Sequence, residues 1–494
     1  MFTPRSVRYL GMVGSLLTAL CAYLGGAELL RGNAYNVVDM LRGDLGVLLP
    51  VCWATGTALL ITAWWHGRRV VPSTRWALVT AGLWALPLLP FLPLGSEDVY
   101  SYACQGYVQA AGGDPYATNA LAFGCPWLGS VSEAWRDSPA PYGPLFLLLS
   151  AAAVRVGGTL VGTVAVFRLI AVAGVALIAV GVPALARRAG VAPVKATWTV
   201  LACPLVLIHL VSGAHNDAVM IGLLVAGLAL VAGLRPAATE PGAPLLPRTA
   251  VLALGGALLG LAVGVKATAV VVLPFAVLAA VPRGTSLRAL WRPGAAVGGG
   301  AVGALAVLSL LSGRGVGWAY GLLRSGDTIE WTSPSTAIGL TVGRLLSVFG
   351  LHVDALPAVR LIATVLLVPA LVALWWWARR GDALLGAGLA LALTVVLAPV
   401  FHPWYALWPL AVLAATWTRS ETIFTRWMLV PCAFAATLTI PDGHNWALAT
   451  KTQGSLAMTA GLVALAVWLV RRNRAERRDA GESSLLAPER ADLR

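Results

Sequence analysis

Apolar runs about as long as a bilayer is thick recur along the chain, separated by short stretches where charge collects. A helix rises ~1.5 Å per residue, so about 20 such residues cross the hydrocarbon core. The runs predict spans over 9–30, 47–65, 76–94, 164–185, 196–211, 218–234 and 250–265, followed by 267–281, 294–311, 358–378, 383–400, 405–417, 427–440 and 455–470. That makes about 14 helices, several short enough to be tilted or partly buried among their neighbours. The first run follows Arg5 and Arg8 and ends in Ala27-Glu28-Leu29-Leu30-Arg31, without a convincing cleavage site. It is expected to be an uncleaved signal anchor. The apolar stretch 144–158 is too short and poorly bounded for a full span and is read as an interfacial or half-inserted helix. A true span there would invert everything after it.

Two long intervals lack a spanning run, 95–143 and 312–356. With the N-terminus inside, Arg68, Arg69, Arg187, Arg188, Lys195, Arg283, Arg379, Arg380 and the Arg471–Arg478 cluster all fall on one side, together with most of the 35 basic residues. This bias predicts a multi-pass protein of the plasma membrane with both termini inside and the two long loops outside. Residues 1–470 are read as one transmembrane domain. Residues 471–494 are charged, lack an apolar period and are expected to be disordered.

Composition sharpens the class. With 58% hydrophobic and 11% charged residues and a mean hydropathy of +0.79, too little polar surface exists to cover a soluble globule of 494 residues. The net charge of +14 sits in short clusters between apolar runs, so topology accounts for it better than nucleic-acid binding does. Cys21, Cys52, Cys203 and Cys432 lie in apolar runs and read as small core residues. Cys104 and Cys125 share the 95–143 loop. In an oxidising compartment they could form a disulfide, and otherwise they are two free thiols.

The chemistry-bearing residues cluster in the outer turns. Glu97 and Asp98 open the first loop behind Ser96. Their side chains diverge by about 100° on a helix, so one can act as a base while the other orients a neighbour or cation. The bland alternative is capping, with Ser96 as the cap and two acids complementing the helix dipole. His215, Asn216 and Asp217 join two apolar runs and could be a polar turn only. Lys266 stands at another junction with no acid nearby in sequence, where it either snorkels or meets an anionic head group. Trp404, Tyr405 and Trp408 fit an interfacial belt or a sugar-stacking wall. Nothing resembles a zinc-ligand spacing or a phosphate-cradling glycine loop. Polar residues massed on one side argue against a transporter, which places them at mid-membrane on broken helices.

In combination, Asp98-Val-Tyr100-Ser-Tyr102 with Gln105-Gly, Gly113-Asp-Pro-Tyr116 and Pro141-Tyr142-Gly-Pro144, followed by Gly213-Ala-His215-Asn216-Asp217, Lys266-Ala-Thr and His402-Pro-Trp404-Tyr405, resembles the actinobacterial polyprenyl-phosphate-mannose-dependent α-1,6-mannopyranosyltransferases of the GT-C superfamily. The resemblance implies an all-α polytopic membrane protein, a GT-C-type transmembrane bundle with short helices in the outer loops. It implies a polyprenyl-phosphate-linked sugar donor entering from the lipid, a glycan or glycolipid acceptor, and a catalytic carboxylate at Asp98 with Glu97 beside it. By the same resemblance Lys266, His215 or Arg324 would balance charge on the departing phosphate. Tyr100, Tyr102, Gln105, Tyr142, Asn216, Asp217, His402, Trp404 and Tyr405 would flank the sugars. No cofactor is required, although Glu97 and Asp98 could hold a divalent cation such as Mg or Mn. The competing expectations are another polyprenyl-phosphate sugar, arabinose or glucose, and a lipid-linked glycan flippase.

Overall fold

A computed structural model describes residues 2–27, 45–233, 247–321 and 328–485. Among them the chain is helical throughout, with one isolated antiparallel bridge between Thr439 and Asn445. Seven helices are long and apolar enough to cross a membrane: Pro4–Gly25, Leu48–Val70, Leu160–Ala189, Arg248–Val265, Leu287–Ser312, Leu356–Arg380 and Lys451–Arg472. An eighth crossing results if Pro193–Leu201 and Val206–Ser212, bent by 67°, count as one broken span. Pro144–Gly157, Asp217–Ala232, Ala267–Ala279 and Ala383–Leu397 are shorter apolar helices. The chain is an all-α membrane protein.

Several predicted spans are realised in pieces. The 405–417 run becomes a tight turn at Pro403–Ala406 followed by the helix Leu407–Thr416. The 427–440 run is split between a widened turn at Thr425–Leu429 and the short helix Val430–Ala435. In both, prolines at the first helical positions set the break. The 312–356 interval carries a helix of its own, Pro334–Val348, packed on the C-terminal helix, with Thr459 Oγ1 3.0 Å from Thr341 Oγ1. One expectation needs correction. The C-terminal helix runs from Lys451 to Leu485, so the charged segment expected to be disordered is helical as far as it is described. Its dense Arg, Ala and Glu favour helix intrinsically.

Backbone breaks inside an apolar bundle leave carbonyls that must find donors. Arg168, within the Leu160–Ala189 helix, supplies them. Its guanidinium donates to the carbonyls of Leu89 and Phe91 and, at 2.8 Å, to that of Ser212. One buried side chain thereby pins both the segment leading to Glu97 and the end of the broken span.

Close approach of small residues sets the register. A Cβ at Gly222 would lie 2.6 Å from the Gly174 carbonyl oxygen. The Leu160–Ala189 and Asp217–Ala232 helices therefore meet backbone to backbone, as membrane helices do where only dispersion holds them. Gly222→Leu is expected to lower stability by about 1–3 kcal/mol through overpacking. Gly298→Ala, where nothing lies within 4 Å, should cost nothing. Melting of the two purified variants in detergent checks the contrast.

Candidate active site

The turn into the first loop depends on Gly95. It holds a φ of +72°, and a Cβ would stand 2.9 Å from the His209 ring, so both backbone and space require glycine there. The Asp98 amide donates to Ser96 Oγ at 3.1 Å, while Glu97 occupies the cap position of the helix Asp98–Ala110. Ser96 is therefore not the helix cap: its hydroxyl closes a local turn onto Asp98, and Glu97 at the cap position makes no side-chain capping bond. A loop from the far end of the chain closes over the turn: Gly95 N–H donates to the Pro441 carbonyl at 3.2 Å, and Gly443 abuts Ser96. Cys104 and Cys125, both buried, are joined in a disulfide that ties the helix to its loop.

Asp98 is 14% exposed and its Oδ2 lies 3.7 Å from Nδ1 of the fully buried His215. Tyr102, one helical turn on, brings its hydroxyl 3.3 Å from the same nitrogen. Burial pushes the Asp98 carboxyl up to about 6, against the pull of Lys266, with Asp217 adding to the rise. Burial likewise carries Glu97 up to about 7, opposed by His444 and reinforced by Asp442 and Asp98. A third carboxylate faces them. Glu330 is buried, accepts from Asn445 Nδ2 at 2.9 Å and lies 3.6 Å from His402 Nδ1. Burial pushes it, too, up to about 7. Glu97, Asp98, Glu330, His402, Trp404 and His444 line one cavity of about 120 Å³.

Beside it lies an ion pair. Lys266, at the break after the Arg248–Val265 helix, donates to Asp217 Oδ1 at 2.9 Å and Oδ2 at 3.0 Å. Trp408 Nε1 donates to the same carboxylate at 2.6 Å. The ammonium lies over the rings of Tyr405 at 4.7 Å, Trp408 at 5.2 Å and Tyr142 at 6.0 Å. Lys266 is therefore no lone snorkelling cation, and Asp217, with no exposed surface, is its internal counter-ion.

Trp404 forms a stacked wall. The His215 ring lies 3.9 Å from it on one contact and the His402 ring 4.8 Å away at 11° on another. Burial drives His402 down to about 3 and His215 well below its ordinary value, with His209, Lys266 and His402 adding to the effect. Both imidazoles are neutral at physiological pH, able to donate one hydrogen bond and accept another.

Of the sequence-derived residues, Glu97, Asp98, Tyr102, Tyr142, His215, Asp217, Lys266, His402, Trp404 and Tyr405 form one connected group. Tyr100 does not join it. Its hydroxyl donates to the Ala27 carbonyl at 2.6 Å and it borders a separate apolar groove. Gln105 and Asn216 are buried, with Gln105 Oε1 and both Asn216 side-chain polar atoms unpartnered among the described residues. Arg324 lies outside the described residues. The sequence reading passed over Glu330, His444 and Asn445. The signal available was the polar turn Pro441-Asp-Gly-His-Asn445 between the last two apolar runs. Among the described residues no three His, Cys, Asp or Glu side chains converge as metal ligands.

Residues 8–282 match the family model described as "Alpha-(1->6)-mannopyranosyltransferase, N-terminal domain", and residues 335–471 match that of the MptB C-terminal domain. The chain is 36% identical over 426 residues to alpha-(1->6)-mannopyranosyltransferase A of Mycobacterium tuberculosis, covering 82% of this chain and 79% of that one. It is 33% identical over 448 residues to a protein of Mycolicibacterium smegmatis named as a probable alpha-(1->6)-mannopyranosyltransferase, covering 84% and 79%. Among solved structures it is similar to an oligosaccharyltransferase of Archaeoglobus fulgidus, with a TM-score of 0.38 and 15% identity over 77% of this chain and 53% of the other.

The buried pair yields a test. Lys266→Met or Asp217→Asn alone is expected to cost about 3–5 kcal/mol, because each leaves one side of a buried ion pair without its partner. The double variant should cost clearly less than the sum. Thermal unfolding of the four proteins in one detergent measures this non-additivity.

Proposed function

The chain belongs to the alpha-(1->6)-mannopyranosyltransferase family, and from that premise we propose that it transfers mannose from polyprenyl-phosphate mannose to an α-1,6-mannan or lipomannan-type acceptor. In this reading the reaction takes place at the outer face of the plasma membrane, with Asp98 as general base. The observation that carries the reading is Asp98 itself. It is a carboxylate held near pKa 6, at the wall of a cavity shared with two further carboxyl groups and beside a neutral imidazole. A base is most effective when its pKa lies near the working pH.

The step is a single in-line displacement. An acceptor hydroxyl oxygen attacks C1 of the mannosyl group as its proton passes to Asp98. The bond from C1 to the phosphate oxygen breaks, and its electron pair leaves with the polyprenyl phosphate. A β-linked donor thereby gives an α product. Glu97 and Glu330, both raised by burial, hold their protons to higher pH than ordinary carboxyl groups and can then donate to sugar hydroxyls. Trp404, covered by the His215 and His402 rings, borders the cavity in which a sugar ring would lie. Lys266 gives Asp217 two hydrogen bonds and retains a third ammonium N–H. That N–H and neutral His215 are assigned to the donor phosphate.

Two further features support the reading. An apolar groove of about 750 Å³, lined by Tyr23, Phe91, Tyr100, Val164 and Leu169 among others, runs along the segment that leads to Glu97 and suits a prenyl chain. The Cys104–Cys125 disulfide beside the site fits an oxidising, external compartment, as does the clustering of arginines at the opposite loops.

Membranes carrying wild type or Asp98→Asn at equal protein level should be supplied with radiolabelled polyprenyl-phosphate mannose and a short α-mannoside. Asp98→Asn is expected to lose roughly 100-fold or more in transfer, the scale of a general base. In wild type, kcat/KM should fall as pH drops through about 6, where Asp98 takes up its proton, and level off above. Full activity in Asp98→Asn would remove Asp98 from the role. Transfer only from a different polyprenyl-phosphate sugar would correct the donor.

A further inference from the structure

The end of the bundle away from Asp98 carries a second built cavity. In the Leu48–Val70 helix, Trp53 donates to the Thr439 carbonyl at 2.9 Å, beside the candidate active site. Arg68 lies roughly 22 Å further along the same helix. There a cavity of about 340 Å³ is bordered by Arg68, Lys195, Trp417, Arg419, Glu421 and Phe424. It is framed by the ends of the Leu48–Val70 and Leu407–Thr416 helices, the start of Pro193–Leu201 and the short helix Glu421–Phe424.

Three cations meet one carboxylate in this lining, a surplus of two positive charges (3 − 1 = 2). Glu421 does not consume their donors. It lies 3.9 Å from Arg68 Nη2 and 3.8 Å from Lys195 Nζ, beyond hydrogen-bond reach, and its side chain is 65% exposed. The Arg68 side chain is only 9% exposed. Its Nη1 reaches Thr425 Oγ1 at 3.3 Å, but its Nε is buried without a partner among the described residues. Arg419 is held over the Trp377 ring at 5.2 Å, so its charge is fixed at the rim. An arginine cluster that served topology alone would be solvated. A buried guanidinium N–H left unmatched costs free energy until an acceptor arrives.

We propose that this cavity binds a phosphate oxyanion, with the Arg68 guanidinium and Lys195 Nζ as donors and the Trp417 and Phe424 rings, 5.8 Å apart, as the apolar wall. A basic pocket between helix ends, flanked by aromatic rings at the membrane surface, fits the phosphate of an anionic lipid head group. A free phosphate ester would present the same oxygens. The site is separate from the transfer reaction and stands whether or not Asp98 is its base.

The test uses the delipidated full-length protein in neutral detergent. Native mass spectrometry and thermal melting are followed during titration with phosphatidylglycerol in one arm and inorganic phosphate, at matched ionic strength, in the other. Binding in the lipid arm alone identifies a head group; binding in the phosphate arm as well identifies a soluble ligand. In either case Arg68→Gln and Lys195→Gln should each weaken binding about tenfold, and Asp98→Asn should bind as wild type does. Lys195, 61% exposed, keeps the test decisive if Arg68→Gln does not fold. Equal affinity in wild type and Lys195→Gln, binding lost in Asp98→Asn, or no binding in either arm would overturn the proposal.

Discussion

The ion pair between Lys266 and Asp217 is the constraint around which the site is arranged. Both groups lie among helices that offer almost no water, so each charge depends on the other and on the Trp408 N–H. Desolvating two ions costs several kcal/mol, which the attraction repays only if geometry is tight and the remaining acceptor sites are filled. Three stretches far apart in sequence must meet to meet that condition: the break after Val265, the start of the Asp217–Ala232 helix and the Leu407–Thr416 helix. Once they meet, the floor beneath Asp98 is fixed in position and in charge. Asp98 then sits between the opposing fields of Lys266 and Asp217.

The broken helices follow from the same need. An unbroken bundle would present only side chains, whereas breaks at 213–216, at Lys266 and at 398–406 present turns that carry His215, Lys266 and His402. Each break exposes backbone groups, and Arg168 satisfies the ones nearest Asp98. The strain is visible at Ala214, the one described residue other than glycine with positive φ, at +52°. It lies directly before His215, which suggests that the turn is held by its surroundings to aim that ring. His209, Asn216 and Gln105 bring further unpartnered polar atoms to the same region, chemistry suited to a ligand rich in hydroxyl groups.

Much of this was legible in the chain. Apolar runs bounded by charge gave the helical membrane class, because hydrocarbon tolerates little else. The turns between apolar runs gave Glu97, Asp98, His215, Lys266, His402 and Trp404, because ionisable residues beside apolar runs are costly unless they serve a purpose. Pairing was not legible. Lys266 and Asp217 are separated by 49 positions, and Glu330 and Asn445 by 115, distances over which local pattern carries no information. Tyr100 misled for a local reason: its neighbour two positions on, Tyr102, points to His215, while helical geometry turns Tyr100 away toward Ala27. The number of crossings was blurred because prolines and turns divide apolar runs that composition alone leaves whole.

The central claim is that a sugar sits in the cavity shared by Asp98 and Glu330 while the phosphate lies toward Lys266. A cryo-electron microscopy structure of the protein with a non-transferable polyprenyl-phosphate mannose analogue and a short mannoside would test it most directly. The expected result is an acceptor hydroxyl within hydrogen-bond distance of Asp98, a sugar ring against Trp404 and the prenyl chain in the groove beside Tyr100 and Leu169. Density for both sugars away from Asp98, with Lys266 and Asp217 far from the phosphate, would contradict the account.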